Sequence, residues 1–284
     1  MSTNIKLVAL DLDGTLFNDK LEITEENQNA IRAAVASGTH VIISTGRPYI
    51  ALPVDKLTDL GIRYAITSNG GAIYCMPQKE CVYSSCMTPD MIVPIIRHLQ
   101  TKDIQYDAFI GGNRYRESSR QNIVDRLTQF PEATRKLVKT NAMFVDDLAD
   151  FIEVLNLDVE KMTINFYPLL DGTYKDRDDV WNYLSSIPEI TALCGGYMNM
   201  EYTKAGTTKA EGLRFLTELL DIPMECTMAV GDTANDADIM QAAAIGVAMG
   251  NASNAIKSIA DFVSKSNNES GVAYAIDKFV FGAE

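Results

Sequence analysis

Hydrophobic and polar residues follow two different patterns along the chain, one in its first and last parts and the other in the part between them. Up to about residue 85, short continuous apolar runs such as "IKLVAL" and "THVIIS" alternate with segments whose apolar residues recur every three to four positions. The same pattern returns from about residue 205 to residue 284. Between them, residues 86–204 contain aromatic-rich segments with strand-like alternation, such as "IQYDAFI" and "MTINFY", interleaved with helical patterns.

These patterns predict an α/β protein of two domains. Continuous apolar strands that alternate with helices indicate a parallel sheet covered by helices on both faces. We expect residues 1–85 and 205–284 to build this domain together, with one of its helices running from near Pro48 to Gly61. Residues 86–204 are expected to form an inserted α+β domain with antiparallel strands.

Composition and charge narrow the classes of partner. The chain is 46% hydrophobic and 22% charged, which is typical of a globular protein, and its net charge is -13. Such a surface repels nucleic acid and anionic membranes, whereas a bound divalent cation would still permit a small anionic ligand. No apolar run reaches the roughly 18 residues of a membrane span. The sequence has no C-x-x-C pair of the kind that would indicate a zinc site. We expect a cytoplasmic protein; the sequence does not predict its oligomeric state.

Polar side chains gather where the predicted parallel strands end. Asp11 and Asp13 follow the first strand, in "DLDGTL". Ligands of open parallel sheets bind just beyond the carboxyl ends of the strands. Further polar residues at or near such positions, from "STGR", "GDTANDAD" and the head of a helix, are Ser44, Thr45, Gly46, Arg47, Lys209, Asp232, Asn235 and Asp236.

This set of residues has the chemistry of a hard-cation site that faces a phosphate. Mg²⁺ takes oxygen ligands, commonly one or two carboxylates with water and substrate phosphate. A hydroxyl and the backbone amides of "STG" can hold phosphoryl oxygens, and Lys209 can balance the anions. In such a site Asp11 is the candidate nucleophile, and Asp13 is the candidate general acid and base. The product of the first step would be an aspartyl-phosphate on Asp11.

Four motifs resemble, in order and context, those of the haloacid dehalogenase superfamily: "DLDGTL", "STGR", Lys209 and "GDTANDADIM". More narrowly, the chain is similar to the Cof-type phosphatases with a type IIB cap, since "SNGGAIY", "VAMGNA" and "VSKSNNESGVAYAI" also look like that subgroup. The resemblance covers nearly the whole chain. It implies a Rossmann-like core, residues 86–204 as the cap, and Mg²⁺ held by the Asp11 side chain, the Asp13 backbone carbonyl and Asp232.

The same resemblance assigns roles to the remaining polar residues. Thr45 and Lys209 match the phosphate-binding positions, and Asn235 and Asp236 match supporting ones. Ser44 stands beside Thr45, and of the two hydroxyls we favour Thr45 as the phosphate ligand. Arg47 either reaches the substrate or pairs with an acid of the core. Ala234 departs from the pattern, because relatives often carry a polar or acidic residue there.

The leading hypothesis is a Mg²⁺-dependent phosphomonoester hydrolase for small phosphorylated metabolites such as sugar phosphates, with the cap closing over the site. A lone D-x-D pair also occurs in glycosyltransferases, but "GDTANDAD" at a second strand end favours phosphoryl transfer. One alternative is a phosphomutase, which passes the phosphoryl group to a sugar hydroxyl. Another is a ligand sensor that keeps the fold without catalysis. The expected partner is a small phosphate ester, with no nucleic acid and no membrane.

Overall fold

The computed structural model describes residues 4–129, 142–194 and 198–283, together with residues 132, 135, 139 and 140. Its strands are β1 (Leu7–Leu10), β2 (His40–Ser44), β3 (Tyr64–Thr67), β4 (Ala72–Cys75), β5 (Glu80–Ser84), β6 (Gln105–Ile110), β7 (Asn113–Glu117), β8 (Ala142–Val145), β9 (Lys161–Asn165), β10 (Ile190–Cys194), β11 (Met200–Lys204), β12 (Thr227–Gly231), β13 (Ile245–Ala248) and β14 (Phe262–Val263). Its helices are α1 (Glu25–Ala36), α2 (Val54–Asp59), α3 (Pro89–Gln100), α4 (Leu148–Leu155), α5 (Arg177–Ser185), α6 (Lys209–Leu219), α7 (Ala237–Ala242), α8 (Asn254–Lys257) and α9 (Gly271–Phe279).

The chain divides into two compact units. The first takes the described residues of Met1–Arg47, Leu52–Tyr83 and Thr208–Glu284, and the second takes those of Ser84–Thr207. Pro48–Ala51 also groups with the second unit. There the Ile50 amide donates a hydrogen bond to the Gly112 carbonyl at 2.9 Å.

The main sheet runs in the order β14-β13-β12-β1-β2-β3-β4-β5. Its strands from β14 to β3 are parallel, and β4 turns back antiparallel to β3. β1 lies between β12 and β2, with Leu7 opposite both Thr227 and His40. The predicted α/β architecture with a parallel sheet is confirmed. This strand order brings the carboxyl ends of β12, β1 and β2 side by side.

Both faces of β1 are buried, as the continuous apolar run of this strand requires. Leu7 and Ala9 of β1 pack in one cluster with Leu213 of α6. Val8 and Leu10 point to the opposite face, because side chains alternate along a strand, and they are fully buried as well. A strand buried on both sides cannot shift its register at low cost, so β1 ends at a fixed point.

The sheet of the second unit has the order β10-β11-β9-β6-β7-β8. Neighbouring strands in this sheet, as far as the structure describes their pairing, are antiparallel, except that β7 and β8 are parallel. One face packs on the helices through a cluster that includes Tyr106 of β6, Met162 of β9, Ile92 of α3 and Ile152 of α4. The predicted α+β character of this segment therefore matches the structure.

The other face of β6 carries charge in the interior of the second unit. Asp107 alternates with the apolar residues of this strand. Arg116 of β7, which is fully buried, donates hydrogen bonds to the two Asp107 oxygens at 2.6 and 2.7 Å. Such a fork-to-carboxylate pair satisfies both buried charges and fixes their geometry.

The segment after Pro48 differs from the prediction of one helix that reaches Gly61. Tyr49–Ala51 forms a single 3₁₀ turn, and α2 begins only at Val54. Pro53 explains the break, because a proline disfavours helical backbone in the preceding residue and has no amide proton to donate. The prediction of a continuous helix was wrong, although α2 does end close to Gly61.

Neither a helix that could span a membrane nor a disulfide occurs in the part of the chain that the structure describes. The longest helices there, α1 and α3, have 12 residues each. None of the described helices combines the length and apolar character needed to cross a membrane. The five cysteines are free thiols.

Candidate active site

The candidate site lies at the carboxyl ends of adjacent parallel strands. Asp11 is the first residue after β1, and Asp232 is the first after β12. The Asp11 amide donates to the Val230 carbonyl at 3.1 Å, which ties the two strand ends together. Two acidic residues that are far apart in sequence therefore meet because of the strand order.

Lys209 bridges two buried carboxylates at this edge. Its Nζ lies 2.8 Å from Asp11 Oδ1 and 2.6 Å from Asp236 Oδ1, and its side chain is fully buried. Lys209 is the first residue of α6, and Thr208 caps that helix by accepting the Glu211 amide proton. An ammonium group has three protons, so one proton of Lys209 is left for an oxygen of a bound phosphate.

Burial and neighbouring charges shift the pKa values of three ionisable groups in the site. Burial raises the pKa of the Asp11 carboxyl well above its ordinary value. Burial also raises the pKa of Asp232 to about 6, although a hydrogen bond from Thr15 opposes that shift. Burial disfavours the charge of Lys209, but Asp11 and Asp236 outweigh it and hold the lysine pKa above its usual value. A bound cation would favour the ionised form of both raised carboxyls.

The carboxylates fit a hard divalent cation. One oxygen each of Asp11, Asp232 and Asp236 lies within 4.8 Å of the others. Asp236 already accepts Lys209 on Oδ1, and the amides of Asp232 and Thr233 at 3.1 Å on Oδ2. Asp11 and Asp232 are therefore the better candidate ligands, and Asp236 is better suited to hold Lys209 and the chain around Asp232 in place.

Asp13 forms an ion pair with Arg47. The Arg47 Nε donates to Asp13 Oδ2 at 2.7 Å, and a second guanidinium nitrogen donates to Oδ1. The Asp13 side chain is half exposed. The Arg47 guanidinium also lies over the Phe17 ring, 5.3 Å from its centroid. Of the two roles considered for Arg47, the structure shows the ion pair with an acid of the core.

The turn after β2 carries the two candidate hydroxyls in different surroundings. Ser44 shares a face of β2 with Ile42, which packs in the apolar cluster of the sheet, and the Ser44 hydroxyl is buried with no hydrogen-bond partner among the described groups. Thr45 Oγ1 accepts the Arg47 amide proton at 3.1 Å. The hydroxyl proton of Thr45 is thereby directed away from the turn, which favours Thr45 as the donor to a phosphate.

Comparison with known proteins identifies the family. The sequence profile of the haloacid dehalogenase-like hydrolases matches residues 8–276. The chain belongs to this family. The superfamily resemblance of the four motifs is thereby confirmed.

Among similar hydrolases of this family is the phosphatase YwpJ of Bacillus subtilis, 32% identical over 280 residues that cover 95% of this chain and 98% of YwpJ. The 5-amino-6-(5-phospho-D-ribitylamino)uracil phosphatase YcsE of Bacillus subtilis is 30% identical over 98% of this chain and 96% of its own. The solved structure of the HAD subclass IIB sugar phosphatase BT4131 superimposes with a TM-score of 0.76 at 26% identity, over 96% of this chain and 98% of that one.

Asn69 belongs to the site of this hydrolase but is not among the residues predicted from the sequence. Its Oδ1 accepts a hydrogen bond from Asn235 Nδ2 at 3.2 Å. A Cβ atom built on Gly46 would lie 2.8 Å from the same oxygen. Asn69 and Ser68 both have positive φ angles, 57° and 53°, and such uncommon backbone often marks a functional site. Its position after β3, in "SNGG", is the sequence signal that could have identified it.

Thr15 is the second residue that the sequence does not single out. It is fully buried, and its Oγ1 donates to Asp232 Oδ1 at 2.9 Å. Gly14 comes just before it with φ +82°, and a Cβ atom at Gly14 would lie 2.4 Å from Asp232 Oδ2. The turn that follows Asp13 is thus built directly against Asp232, and only glycine fits at its start.

If Asp13 is the general acid and base that the sequence predicts, replacing Arg47 with methionine should lower kcat by about 10- to 100-fold, because Asp13 would lose the group that orients it. The pair is partly exposed, with 20% of the Arg47 and 50% of the Asp13 side chain accessible, so the free energy of unfolding should change by less than about 1 kcal/mol. Steady-state kinetics and thermal melts measure the two effects, and Arg32→Met on the exposed face of α1 serves as the control. An unchanged kcat in Arg47→Met would show that Asp13 needs no partner.

Proposed function

We propose that this chain is a Mg²⁺-dependent phosphomonoester hydrolase that acts on small phosphorylated metabolites, sugar phosphates foremost, through an aspartyl-phosphate on Asp11. One observation carries the proposal: Asp11 lies against Lys209 at 2.8 Å and near Asp232, and the acid two residues on is held by its own arginine. Two carboxylates in such different surroundings suit two different roles.

In the first half of the reaction an Asp11 carboxylate oxygen attacks the phosphorus atom. The bond between phosphorus and the ester oxygen breaks, and Asp13 gives its proton to the leaving alcohol. Lys209 and the Thr45 hydroxyl donate hydrogen bonds to the phosphoryl oxygens, where charge is stabilised in the transition state. In this proposal the Gly46 amide and the side-chain amide of Asn235 add to this set.

In the second half Asp13 takes a proton from water, and the water oxygen attacks the phosphorus of the aspartyl-phosphate. The bond between phosphorus and the Asp11 oxygen breaks, inorganic phosphate leaves, and Asp11 is regenerated as a carboxylate. In this proposal Arg47 holds one Asp13 oxygen, while the other oxygen gives up its bond to Arg47 and carries the proton in both transfers. The half-exposed position of Asp13 suits a group that must meet the leaving alcohol and then water.

The donor set for the metal is Asp11 and Asp232, completed in this proposal by the Asp13 backbone carbonyl. Oxygen donors of this kind match Mg²⁺. Burial raises the pKa of Asp11 and of Asp232, and a bound cation would favour the ionised form of both carboxyls. When bound, Mg²⁺ neutralises charge that develops on the phosphoryl group and aligns it with the nucleophile. The remaining steps depend on side chains of this chain.

The proposed substrate class is supported by the relatives. YcsE is named for a phosphorylated ribityl compound and BT4131 as a sugar phosphatase. Both names describe phosphate esters of polyhydroxylated carbon chains. We propose the same class for this chain, without choosing one ester within it.

Release of inorganic phosphate should be detected from one or more members of a panel of sugar phosphates, nucleotides, pyridoxal phosphate and an aryl phosphate. The release should require Mg²⁺ and stop on addition of EDTA, because the carboxylates need a cation to bind a phosphate dianion. Initial rates with each ester, with and without Mg²⁺, make the measurement. The Asp11→Asn variant, purified in parallel, controls for contaminating phosphatases.

The same panel separates the alternative functions. A phosphomutase would convert a hexose phosphate into an isomer and release little phosphate, which chromatography of the sugar products detects. A sensor would bind an ester without turnover. Phosphate release that Mg²⁺ does not affect would contradict the proposed metal, and a full panel without turnover or isomer would contradict the proposed reaction.

A further inference from the structure

Two segments near the C-terminus contact the loop that follows Asp13. The first is the end of "VAMGNA" after β13, which contains Asn251. The second is the 3₁₀ turn Asn267–Glu269 after β14, within "VSKSNNESGVAYAI". Both motifs contribute to the family resemblance, yet the proposed reaction uses no residue from either. Their contacts with the catalytic loop suggest what they do.

The Asn251 side chain bridges two stretches of backbone. Its Nδ2 donates to the Gly14 carbonyl at 2.8 Å. Its Oδ1 accepts the Asn267 amide proton at 3.0 Å. One exposed side-chain amide thus joins the turn after the catalytic acid to the C-terminal segment through both of its polar ends.

The orientation of the Gly14 carbonyl affects the position of Thr15 and Asp232. Its peptide plane links Gly14 to Thr15, whose hydroxyl donates to Asp232 at 2.9 Å. Gly14 itself approaches Asp232 so closely that a Cβ atom would lie 2.4 Å from a carboxylate oxygen. A rotation of this peptide would therefore displace Thr15 and Asp232 together, and Asp13 directly precedes it.

Asn267 holds the far end of the same loop. Its side chain is buried, and its Nδ2 donates to the Phe17 carbonyl at 3.0 Å. The Phe17 ring lies beneath the Arg47 guanidinium that orients Asp13. The two asparagines therefore hold the loop on either side of Thr15, and they contact each other through the Asn267 amide.

We propose that Asn251 is a positioning residue: through its hydrogen bond to the Gly14 carbonyl it sets the geometry of the turn Asp13–Thr15 against Asp232, and thereby both the affinity for Mg²⁺ and the rate of phosphoryl transfer. The inference rests on the proposed function. It requires no contact between Asn251 and substrate, because the effect passes through the backbone of the loop.

Two variants of Asn251 isolate the bond to Gly14. Asn251→Asp keeps an acceptor for the Asn267 amide but has no proton to donate to the Gly14 carbonyl, and Asn251→Ala removes both bonds. Asn268→Ala is the matched control, since this exposed neighbour bonds only Asp19 of the same loop among the contacts seen. Each variant is assayed for kcat and KM, and Mg²⁺ alone is titrated while thermal stability is followed.

We expect both Asn251 variants to lower kcat about 10- to 100-fold with a smaller change in KM, and to weaken the apparent Mg²⁺ affinity by about tenfold. Asn268→Ala should match the wild type in both. A merely structural role would lower the melting temperature equally with and without Mg²⁺ and leave kcat and Mg²⁺ affinity unchanged, which would overturn the inference. If the wild type shows neither turnover nor Mg²⁺-dependent stabilisation, the proposed function fails first, and the positioning role fails with it.

Discussion

Asp11→Asn should abolish turnover, with kcat reduced by at least about 10⁴-fold, as is typical when the nucleophile of a covalent mechanism is removed. The amide keeps the shape of the side chain but cannot attack phosphorus at a useful rate. Phosphate release with the best ester of the panel measures the loss. Asp277→Asn on the exposed face of α9 provides the same chemical change away from the site.

The fold should survive this substitution. Burial raises the pKa of Asp11 in the folded state, so its charge at neutral pH costs stability, and this cost is present above the pKa of the unfolded chain and disappears as the pH falls. A neutral amide removes it, and Lys209 keeps Asp236 as a partner. Thermal melts without metal should therefore place Asp11→Asn at or above the wild type. Retained turnover in a folded Asp11→Asn protein would contradict the covalent mechanism.

Lys209→Met should have the second largest effect, on both stability and activity. The substitution leaves Asp11 and Asp236 buried without their cation, and breaking a buried pair in this way typically costs about 3–5 kcal/mol. Turnover should fall by about 10³-fold, because a donor to the transferring phosphoryl group is lost. Denaturant unfolding and steady-state kinetics measure the two losses, with Lys56→Met on exposed α2 as the control.

The stability loss in Lys209→Met should depend on pH in a defined direction. Burial already raises the folded pKa of Asp11 above that of the unfolded chain, and loss of the lysine increases this difference. The penalty is therefore present at neutral pH and shrinks as the pH falls and the Asp11 carboxyl takes up a proton. Added Mg²⁺ should also reduce it. A deficit that stays constant from neutral to acidic pH would mean that lost packing, and not unbalanced charge, causes the loss.

The predictable part of the fold is the part that periodicity controls. Continuous apolar runs identify β1, β2 and β12 as strands buried on two faces, and the alternation with helices implies their parallel pairing. The helix predicted from near Pro48 fails for a local reason, since Pro53 interrupts a pattern that is otherwise compatible with a helix. Periodicity reports which face is buried, but a single proline decides where the backbone can stay helical.

The candidate site was predictable where its residues stand at strand ends, as Asp11 and Asp232 do. The structure brings these two together with Lys209 and Asp236, while their chemical roles stay predictions. Asn69 was harder to predict from the sequence. Its contribution depends on two successive residues with left-handed backbone, which the sequence pattern does not reveal.

Buried charge in the second unit shows a different limit of sequence patterns. Arg116 lies in "GGNRYRES", a polar segment that equally suits a surface turn. Its burial depends on Asp107, which is nine residues earlier in the chain and lies on the neighbouring strand β6. A charged residue predicts exposure unless its partner is known, and partners across a sheet follow from register, which single-sequence patterns determine poorly.

The position of β1 between β12 and β2 has a consequence for synthesis of the protein on the ribosome. β1 and β2 emerge first, but Lys209 is made 198 residues after Asp11, and β12 with Asp232 follows later still. All residues of Ser84–Thr207 in the second unit leave the ribosome before β1 gains its second neighbour, β12. A nascent chain therefore carries Asp11 without Lys209 or Asp232. Under the proposed mechanism, it gains reactivity toward phosphate esters only once translation has passed the last motif.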